Sequence, residues 1–210
     1  MTNNNNITAI AFDMIGVLVT EERLISRGFD DFFAGRLLLP IATIKERYDD
    51  GLCPGTMSRD EFWDGILDAD WHAAESEFLS ARAFAPDAEM ISALLSRHYD
   101  LAVISDMPRE WAEPILAQHH ILDRLTTAAF CNDGNGSKHD GRLFQALAEQ
   151  LQRPAEEILL VDDRPANLTT AHELGYHCIC CPLDSSVDAR PFTTIQSLSD
   201  LPRAASLRSD

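Results

Sequence analysis

The chain is poor in lysine and in basic charge generally. Its 210 residues contain two lysines and fifteen arginines against 34 acidic residues, for a net charge of −17. Nucleic acids and anionic membrane surfaces bind clustered basic side chains, so neither is expected as a partner. The same imbalance disfavours an anionic substrate unless a divalent cation and a positioned lysine reverse the field at its site.

Long apolar runs are also missing. No stretch approaches the ~20 apolar residues of a membrane-spanning helix. The first residues carry four consecutive asparagines and neither the basic nor the apolar segment of a signal peptide. We expect the asparagine run to be a frayed tail and the protein to be cytoplasmic. The length of the chain allows one sizeable core, with room for a small accessory domain.

Cysteine is sparse and odd in number. The five cysteines are Cys53, Cys131, Cys178, Cys180 and Cys181. Their apolar surroundings predict reduced, mostly buried thiols. The cluster from Cys178 to Cys181 lacks the second ligand pair of a structural zinc site, so packing in a strand is the expected role.

What is present is a set of three short apolar runs, each of which stops at a polar residue. The runs 7–12, 101–104 and 158–161 end at Asp13, at Ser105 and at the pair Asp162-Asp163. Such runs are typical of buried parallel strands. Ligands of open α/β sheets bind beyond the carboxyl ends of the strands, so these distant residues are expected to converge on one site.

Helical and strand patterns alternate from residue 86 onward. Helices are predicted over 87–98, 108–119, 140–151 and 165–174, and strands over 101–104, 125–130, 158–161 and 177–181. This alternation predicts an α/β fold with a Rossmann-like parallel sheet flanked by helices. The tail beyond residue 188 is weakly patterned.

The segment between the first strand and residue 86 has a different texture. Helical spacing of apolar residues predicts helices over 21–36, 41–50 and 58–68, with Ser58 and Glu61 forming a capping box, and no strand. We therefore expect a core formed by residues 1–19 and 86–210, and an inserted α-helical cap formed by residues 20–85.

Each candidate site residue has a structural explanation beside the functional one. Asp13 could attack as a nucleophile or cap a turn, and Ser105 could bind phosphate or begin a helix. Asp162 and Asp163 could hold a cation between them or favour a helix N-terminus. Lys138 lies in a glycine-containing loop, where it could contact phosphate or be exposed.

The order of these residues resembles one family. The motifs are Phe12–Leu18 around Asp13, Val103–Asp106, Ser137-Lys138, and Leu160–Asn167 with its acidic pair. Together they resemble the haloacid dehalogenase-like (HAD) hydrolase superfamily, most of whose members are Mg²⁺-dependent phosphatases. The resemblance covers nearly the whole chain, and the helical insertion resembles the family's small α-helical cap.

The resemblance implies roles in catalysis and in substrate binding. Asp13 would be the nucleophile that forms an aspartyl-phosphate, and Lys138 would neutralise charge between Asp13 and the phosphoryl group. Ser105, with the backbone N–H of Asp106, would bind a phosphate oxygen. Asn167 would help to hold the last loop.

The resemblance also implies a metal site. Mg²⁺ would be held by the carboxylates of Asp13 and Asp163 and by the backbone carbonyl of Ile15, while Asp162 would orient metal-bound water or coordinate beside it. The expected partner is a small phosphorylated metabolite. Substrate identity and oligomeric state are left open.

Ile15 departs from the family pattern. Phosphatases of the family usually carry a second aspartate there, which protonates the leaving oxygen and then activates water. Its general acid–base catalysis is typically worth ~10²–10⁴-fold. A Mg²⁺-dependent phosphatase remains the primary hypothesis: a slow one, one whose substrate has a good leaving group, or one assisted by an acid from the cap.

Ile15 keeps two other hypotheses open. A haloacid dehalogenase needs no proton for its leaving halide, although the acidic pair Asp162-Asp163 disfavours it. A non-catalytic binding or regulatory protein is the other, although Asp13, Lys138 and the acidic pair are all retained. A phosphonate-cleaving enzyme would need a cap lysine, and the one candidate, Lys45, is expected to be a solvated helix residue.

Overall fold

A six-stranded parallel sheet organises the chain. The computed structural model describes residues 6–21, 24–134 and 136–208, so the expected asparagine tail, except for Asn6, lies outside the described residues. The strands are β1 (Ala9–Asp13), β2 (Asp100–Ser105), β3 (Thr127–Phe130), β4 (Ile158–Asp162), β5 (His177–Cys180) and β6 (Thr193–Thr194), in the order β3-β2-β1-β4-β5-β6.

The register brings the three polar strand ends to one edge. Phe12 in β1 is paired with Val103 in β2 and with Val161 in β4. The residues that follow, Asp13 and Asp162, therefore stand side by side, and Ser105 ends the strand on the other side of β1. The predicted Rossmann-like sheet is confirmed.

Alternate residues of the central strands pack against helices on opposite faces. One face carries Ile10, Phe12, Val103 and Val161 and is covered by α5 (Ala88–Leu95) and α6 (Arg109–Gln118). The other face carries Ala9, Ala11, Ile104 and Leu160 and is covered by α7 (Arg142–Leu151) and α8 (Pro165–Glu173). Burial on both faces explains why these strands are continuously apolar.

The described part of the segment between β1 and α5 holds four short helices. These are α1 (Phe29–Phe32), α2 (Ile41–Arg47), α3 (Arg59–Trp63) and α4 (Trp71–Ser80); one π-helical turn, Leu24–Gly28, precedes α1, and another, Tyr48–Leu52, continues α2. We call residues 24–80 the helical insertion. The Ser58–Glu61 capping box begins α3 as predicted. No named strand lies between residues 24 and 85 in the described structure.

A buried carboxylate lies between the insertion and α6. Glu75 of α4 accepts hydrogen bonds from the indole nitrogens of Trp63 (2.8 Å) and Trp111 (2.5 Å), and it also pairs with Arg59. Aromatic rings from both sides surround it, with Trp111 of α6 packed against Phe62, Trp63 and Phe78. The insertion is thus packed onto one helix of the α/β part through polar and apolar contacts together.

The structure corrects several predicted elements. The long helix expected over 21–36 is a π-turn followed by the four-residue α1, with Glu22 and Arg23 outside the described residues. The sequence patterns also missed α4, β6 and the C-terminal helix α9 (Leu201–Ala204), because these elements are short or weakly amphipathic.

Within the described ranges, no helix has the length and apolar character needed to cross a bilayer.

Candidate active site

Asp13 is the last residue of β1 and is held by the chain that follows it. The backbone N–H of Met14 donates to Asp13 Oδ1 at 2.6 Å. The loop then turns sharply, with the Gly16 N–H bonded to the Val19 carbonyl at 2.8 Å and a φ of +100° at Gly16. Glycine adopts this conformation without strain, which allows the tight loop after Asp13.

Lys138 reaches this strand end from the loop that precedes α7. Its Nζ lies 2.5 Å from Asp13 Oδ1 and 2.8 Å from Asp162 Oδ2, and the side chain is only 2% exposed. Burial opposes its charge, but the carboxylates of Asp13 and Asp162 outweigh that effect and raise the Lys138 pKa above its usual value. Lys138 is therefore a fixed ammonium between two carboxylates, and the exposed-loop explanation is wrong.

Asp162 orients Lys138 and is itself oriented by the last motif. Asn167 Nδ2 donates to Asp162 Oδ1 at 3.0 Å and to Oδ2 at 3.2 Å, and the Arg164 N–H donates to Oδ1 at 2.9 Å. Pro165 opens α8, as its position in the sequence suggests. Both Asp162 oxygens are engaged, so its contacts are those of a residue that positions the lysine.

Asp163 differs from Asp162 in its hydrogen bonding. Its Oδ1 is buried and has no hydrogen-bond partner within the described part of the chain. Oxygens of Asp13, Asp162 and Asp163 all lie within 4.8 Å of one another. A buried, unpartnered carboxylate oxygen costs free energy unless a ligand satisfies it, and clustered carboxylates of this kind suit a hard divalent cation.

The pKa values of Asp13 and Asp163 reflect their burial and the proximity of the three carboxylates. Burial raises the pKa of Asp163 to about 6, and the charge of Asp162 adds to the effect. Burial also raises the pKa of Asp13 well above its ordinary value, with Asp162 and Asp163 adding to the rise and Lys138 opposing it. A divalent cation would reverse this penalty, because it would sit against both carboxylates.

Ser105 and Asp106 approach from the neighbouring strand. Ser105 is buried at the end of β2, and α6 begins only at Arg109, so Ser105 is not a helix cap. Asp106 Oδ1 accepts the backbone N–H of Lys138 at 3.1 Å. The β2 loop and the Lys138 loop are therefore tied together next to Asp13.

Ile15 and Lys45 complete the placement of the predicted residues. The Ile15 side chain is half-buried in the loop between Asp13 and Gly16, and its backbone pairs with Val19. Lys45 is about half exposed and pairs with Asp49 one turn along the chain, as expected of a solvated helix residue.

The five cysteines are free thiols, buried or half-buried.

The sequence patterns missed one contact of this region. Tyr48, in the helical insertion, donates a hydrogen bond from its hydroxyl to the backbone carbonyl of Asp106 at 2.9 Å. No local pattern marks such a residue, because its partner is a main-chain atom 58 positions away in the sequence.

Solved structures with the same fold include enzymes of two kinds. A HAD phosphatase from Thermococcus onnurineus superposes with a TM-score of 0.70 at 17% identity, covering 97% of this chain and 100% of the other. An L-2-haloacid dehalogenase from Xanthobacter autotrophicus gives 0.68 at 16% identity, covering 95% and 98%. A HAD family enzyme from Bacteroides thetaiotaomicron, in complex with magnesium and inorganic phosphate, gives 0.66 at 18% identity, covering 86% and 98%.

Sequence comparison identifies the family. No curated protein matches the chain. A family model, the haloacid dehalogenase-like hydrolase, matches residues 7–175, which include β1 to β4, the helical insertion and every candidate site residue. The chain therefore belongs to the haloacid dehalogenase-like hydrolases, and it carries that family's enzyme fold.

Proposed function

We propose that this hydrolase is a Mg²⁺-dependent phosphatase that cleaves a small phosphomonoester through an aspartyl-phosphate. The observation that carries the proposal is the buried oxygen of Asp163, which lies beside the carboxylate of Asp13 and has no hydrogen-bond partner among the residues that the structure describes. A dehalogenase of this family needs no metal, so this arrangement favours the phosphatase.

The residues present fit the proposed metal. Asp13 and Asp163 would supply carboxylate oxygens, the Ile15 backbone carbonyl would supply a third ligand, and Asp162 would lie beside them. Mg²⁺ prefers one or two carboxylates and fills its remaining positions with water and phosphate oxygens. When bound, the cation would offset the negative charge that the substrate and these acids bring together.

Asp13 is assigned as the nucleophile through its Oδ2. The Met14 N–H and Lys138 Nζ both contact Oδ1, so that oxygen is held in place while Oδ2 attacks phosphorus. Lys138 is suited to stabilise charge on the transferring phosphoryl group, because Asp162 accepts from its ammonium and is itself held by Asn167.

Ser105 and the Asp106 N–H are assigned to a phosphate oxygen. Both lie at the end of the strand next to Asp13, and the link from Asp106 to Lys138 sets the distance between the two phosphate-binding loops. Asp13, Ser105, Lys138 and Asp162 are buried, and the chain is strongly acidic. We therefore propose a small phosphorylated metabolite as the substrate, and neither a nucleic acid nor a membrane as a partner. The proposed location of the protein is cytoplasmic.

Ile15 favours a second candidate function. An apolar side chain at this position supplies no proton to a departing alkoxide, whereas a departing halide needs none. A haloacid dehalogenase is therefore the alternative enzyme. A binding or regulatory protein without turnover is the third possibility, and it is opposed by the retention of Asp13, Lys138 and both acids of the last motif.

One experiment separates these functions. Phosphate release from a panel of small phosphomonoesters is measured with Mg²⁺ and with a chelator, for the wild type and for Asp13→Asn. Turnover that requires both Mg²⁺ and Asp13 supports the phosphatase. Metal-independent halide release from 2-haloacids would establish the dehalogenase instead, and Mg²⁺ binding without any turnover would favour the regulatory protein.

A further inference from the structure

Two side chains of the helical insertion contact the backbone carbonyl of Asp106, in the loop that follows β2. Tyr48 lies at the start of the π-helical turn Tyr48–Leu52, and its hydroxyl donates to the Asp106 carbonyl oxygen at 2.9 Å. Cys53, just after that turn, lies with its Sγ 3.4 Å from the same oxygen. Two side chains of the insertion therefore converge on one main-chain atom of the α/β part.

Asp106 connects this contact to the reacting groups. It directly follows Ser105, and its Oδ1 accepts the Lys138 N–H at 3.1 Å. Lys138 in turn lies 2.5 Å from Asp13. A short chain of contacts thus runs from Tyr48 through Asp106 to the lysine and the nucleophile. Any shift of the Asp106 backbone changes the spacing of Ser105 and Lys138 together.

The ring of Tyr48 is anchored independently of its hydroxyl. It packs against Trp111 and Phe62 at centroid distances of 5.7 and 6.5 Å, and the residue is largely buried. Burial raises the pKa of the hydroxyl well above its ordinary value, so it remains a neutral donor at any pH near neutrality. Removing the hydroxyl alone would leave the packing in place.

We propose that Tyr48 is a positioning residue for the phosphoryl-transfer site. By holding the Asp106 carbonyl from the insertion, it sets the alignment of Ser105 and Lys138 relative to Asp13. The inference rests on the proposed phosphatase function for its kinetic consequence, but the contact itself can be tested without a substrate.

Tyr48→Phe tests the proposal, and Tyr176→Phe is its matched control. Tyr176 is also buried and also donates to a backbone carbonyl, that of Phe144, at 2.6 Å, but in the apolar cluster on the other face of the sheet. Both variants remove one hydroxyl and keep the ring. A general loss of packing or stability would therefore affect the two variants alike.

The first measurement is hydrogen exchange at individual backbone amides in the presence of Mg²⁺. We expect the Lys138 amide to exchange about 3–10-fold faster in Tyr48→Phe, the factor that corresponds to one lost hydrogen bond, with the Phe12 amide of β1 unchanged. In Tyr176→Phe the Lys138 amide should exchange at the wild-type rate. Equal Lys138 exchange in Tyr48→Phe and wild type would overturn the proposal.

The second measurement is steady-state kinetics on the best phosphomonoester. Because alignment matters most in the transition state, kcat should fall about 3–10-fold in Tyr48→Phe, with KM within about twofold of wild type. A raised KM with unchanged kcat would overturn the positioning role. If the wild type hydrolyses no phosphomonoester, the proposed function fails, and the exchange measurement still decides whether Tyr48 holds the loop.

Discussion

Gly16 lies so close to Asp163 that any side chain at position 16 would have to displace the Asp163 carboxylate. A Cβ at Gly16 would be 2.4 Å from the Asp163 carboxyl carbon and 2.5 and 2.8 Å from its two oxygens. The φ of +100° adds a second constraint, since side chains rarely adopt it. The backbone of the loop after Asp13 is thus packed against the carboxylate of Asp163, in the loop of the acidic pair.

Gly16→Ala should displace Asp163 and remove metal binding. We expect the Mg²⁺-induced increase in melting temperature to disappear and phosphatase activity to fall by at least about tenfold, because a displaced ligand lowers metal affinity by roughly that factor or more. The control is Gly65→Ala, where φ is +67° and no atom lies within 4 Å of the added Cβ. That variant should show only the backbone strain of about 1–2 kcal/mol and a normal response to Mg²⁺. A normal Mg²⁺ response in Gly16→Ala would contradict the assignment of Asp163 as a ligand.

Mg²⁺ affinity should fall at acid pH. The Asp163 pKa is about 6 in the metal-free protein, so below that pH the cation must displace a proton, and the apparent affinity should drop by up to about tenfold per pH unit for each proton displaced. Above that pH the carboxylate is ionised and the affinity should level off. Calorimetric titration from pH 5 to 8 measures this. Asp163→Asn should bind Mg²⁺ more weakly and should lose the part of the pH dependence that the Asp163 proton contributes, while the raised pKa of Asp13 keeps the remainder.

The raised pKa of Asp163 also affects the stability of the metal-free protein. Because its folded pKa is raised, ionised Asp163 destabilises the metal-free protein above about pH 6, and this cost is absent below about pH 4. As the pH falls from about 6 to about 4, protonation of Asp163 therefore removes this destabilisation of the folded state. The difference in unfolding free energy between wild type and Asp163→Asn, measured in chelator, should shrink over the same interval.

Ile15→Asp should raise phosphatase activity. The substitution places a proton carrier two residues after the nucleophile, and we expect kcat to rise by about tenfold or more on esters with poor leaving groups. Ile15→Asn is the control for shape and polarity without a transferable proton. Unchanged or lower activity in a folded Ile15→Asp variant would show that another group already supplies the proton, or that Ile15 shapes the pocket.

Glu75→Gln should destabilise the packing of the insertion against α6. The buried carboxylate accepts from Trp63 and Trp111 and pairs with Arg59, and an amide cannot satisfy all three donors. We expect a loss of about 3 kcal/mol in the free energy of unfolding, measured by urea denaturation. Glu77→Gln, on the exposed side of the same helix, should change it by less than about 0.5 kcal/mol. Equal stabilities of the two variants would argue against the buried network.

The sheet and the edge that carries the candidate site could be predicted because they depend on local patterns. Strands buried on both faces need continuous apolar runs, and parallel strands expose their carboxyl ends at one edge, so Asp13, Ser105 and the acidic pair could be placed together from their positions alone. The insertion was less predictable. Its turns are short, and its aromatic residues pack against α6 far along the chain, which local periodicity does not report.

The sequence by itself determined the fold class, the family and the residues that meet at the strand ends. The tertiary structure decided what those residues do to one another. It placed Lys138 against Asp13 and Asp162, and Tyr48 against the Asp106 carbonyl. It also left a buried Asp163 oxygen without a hydrogen-bond partner among residues 6–21, 24–134 and 136–208. These relations join atoms far apart in the sequence, and their burial, distances and pKa shifts exist only once the chain has packed.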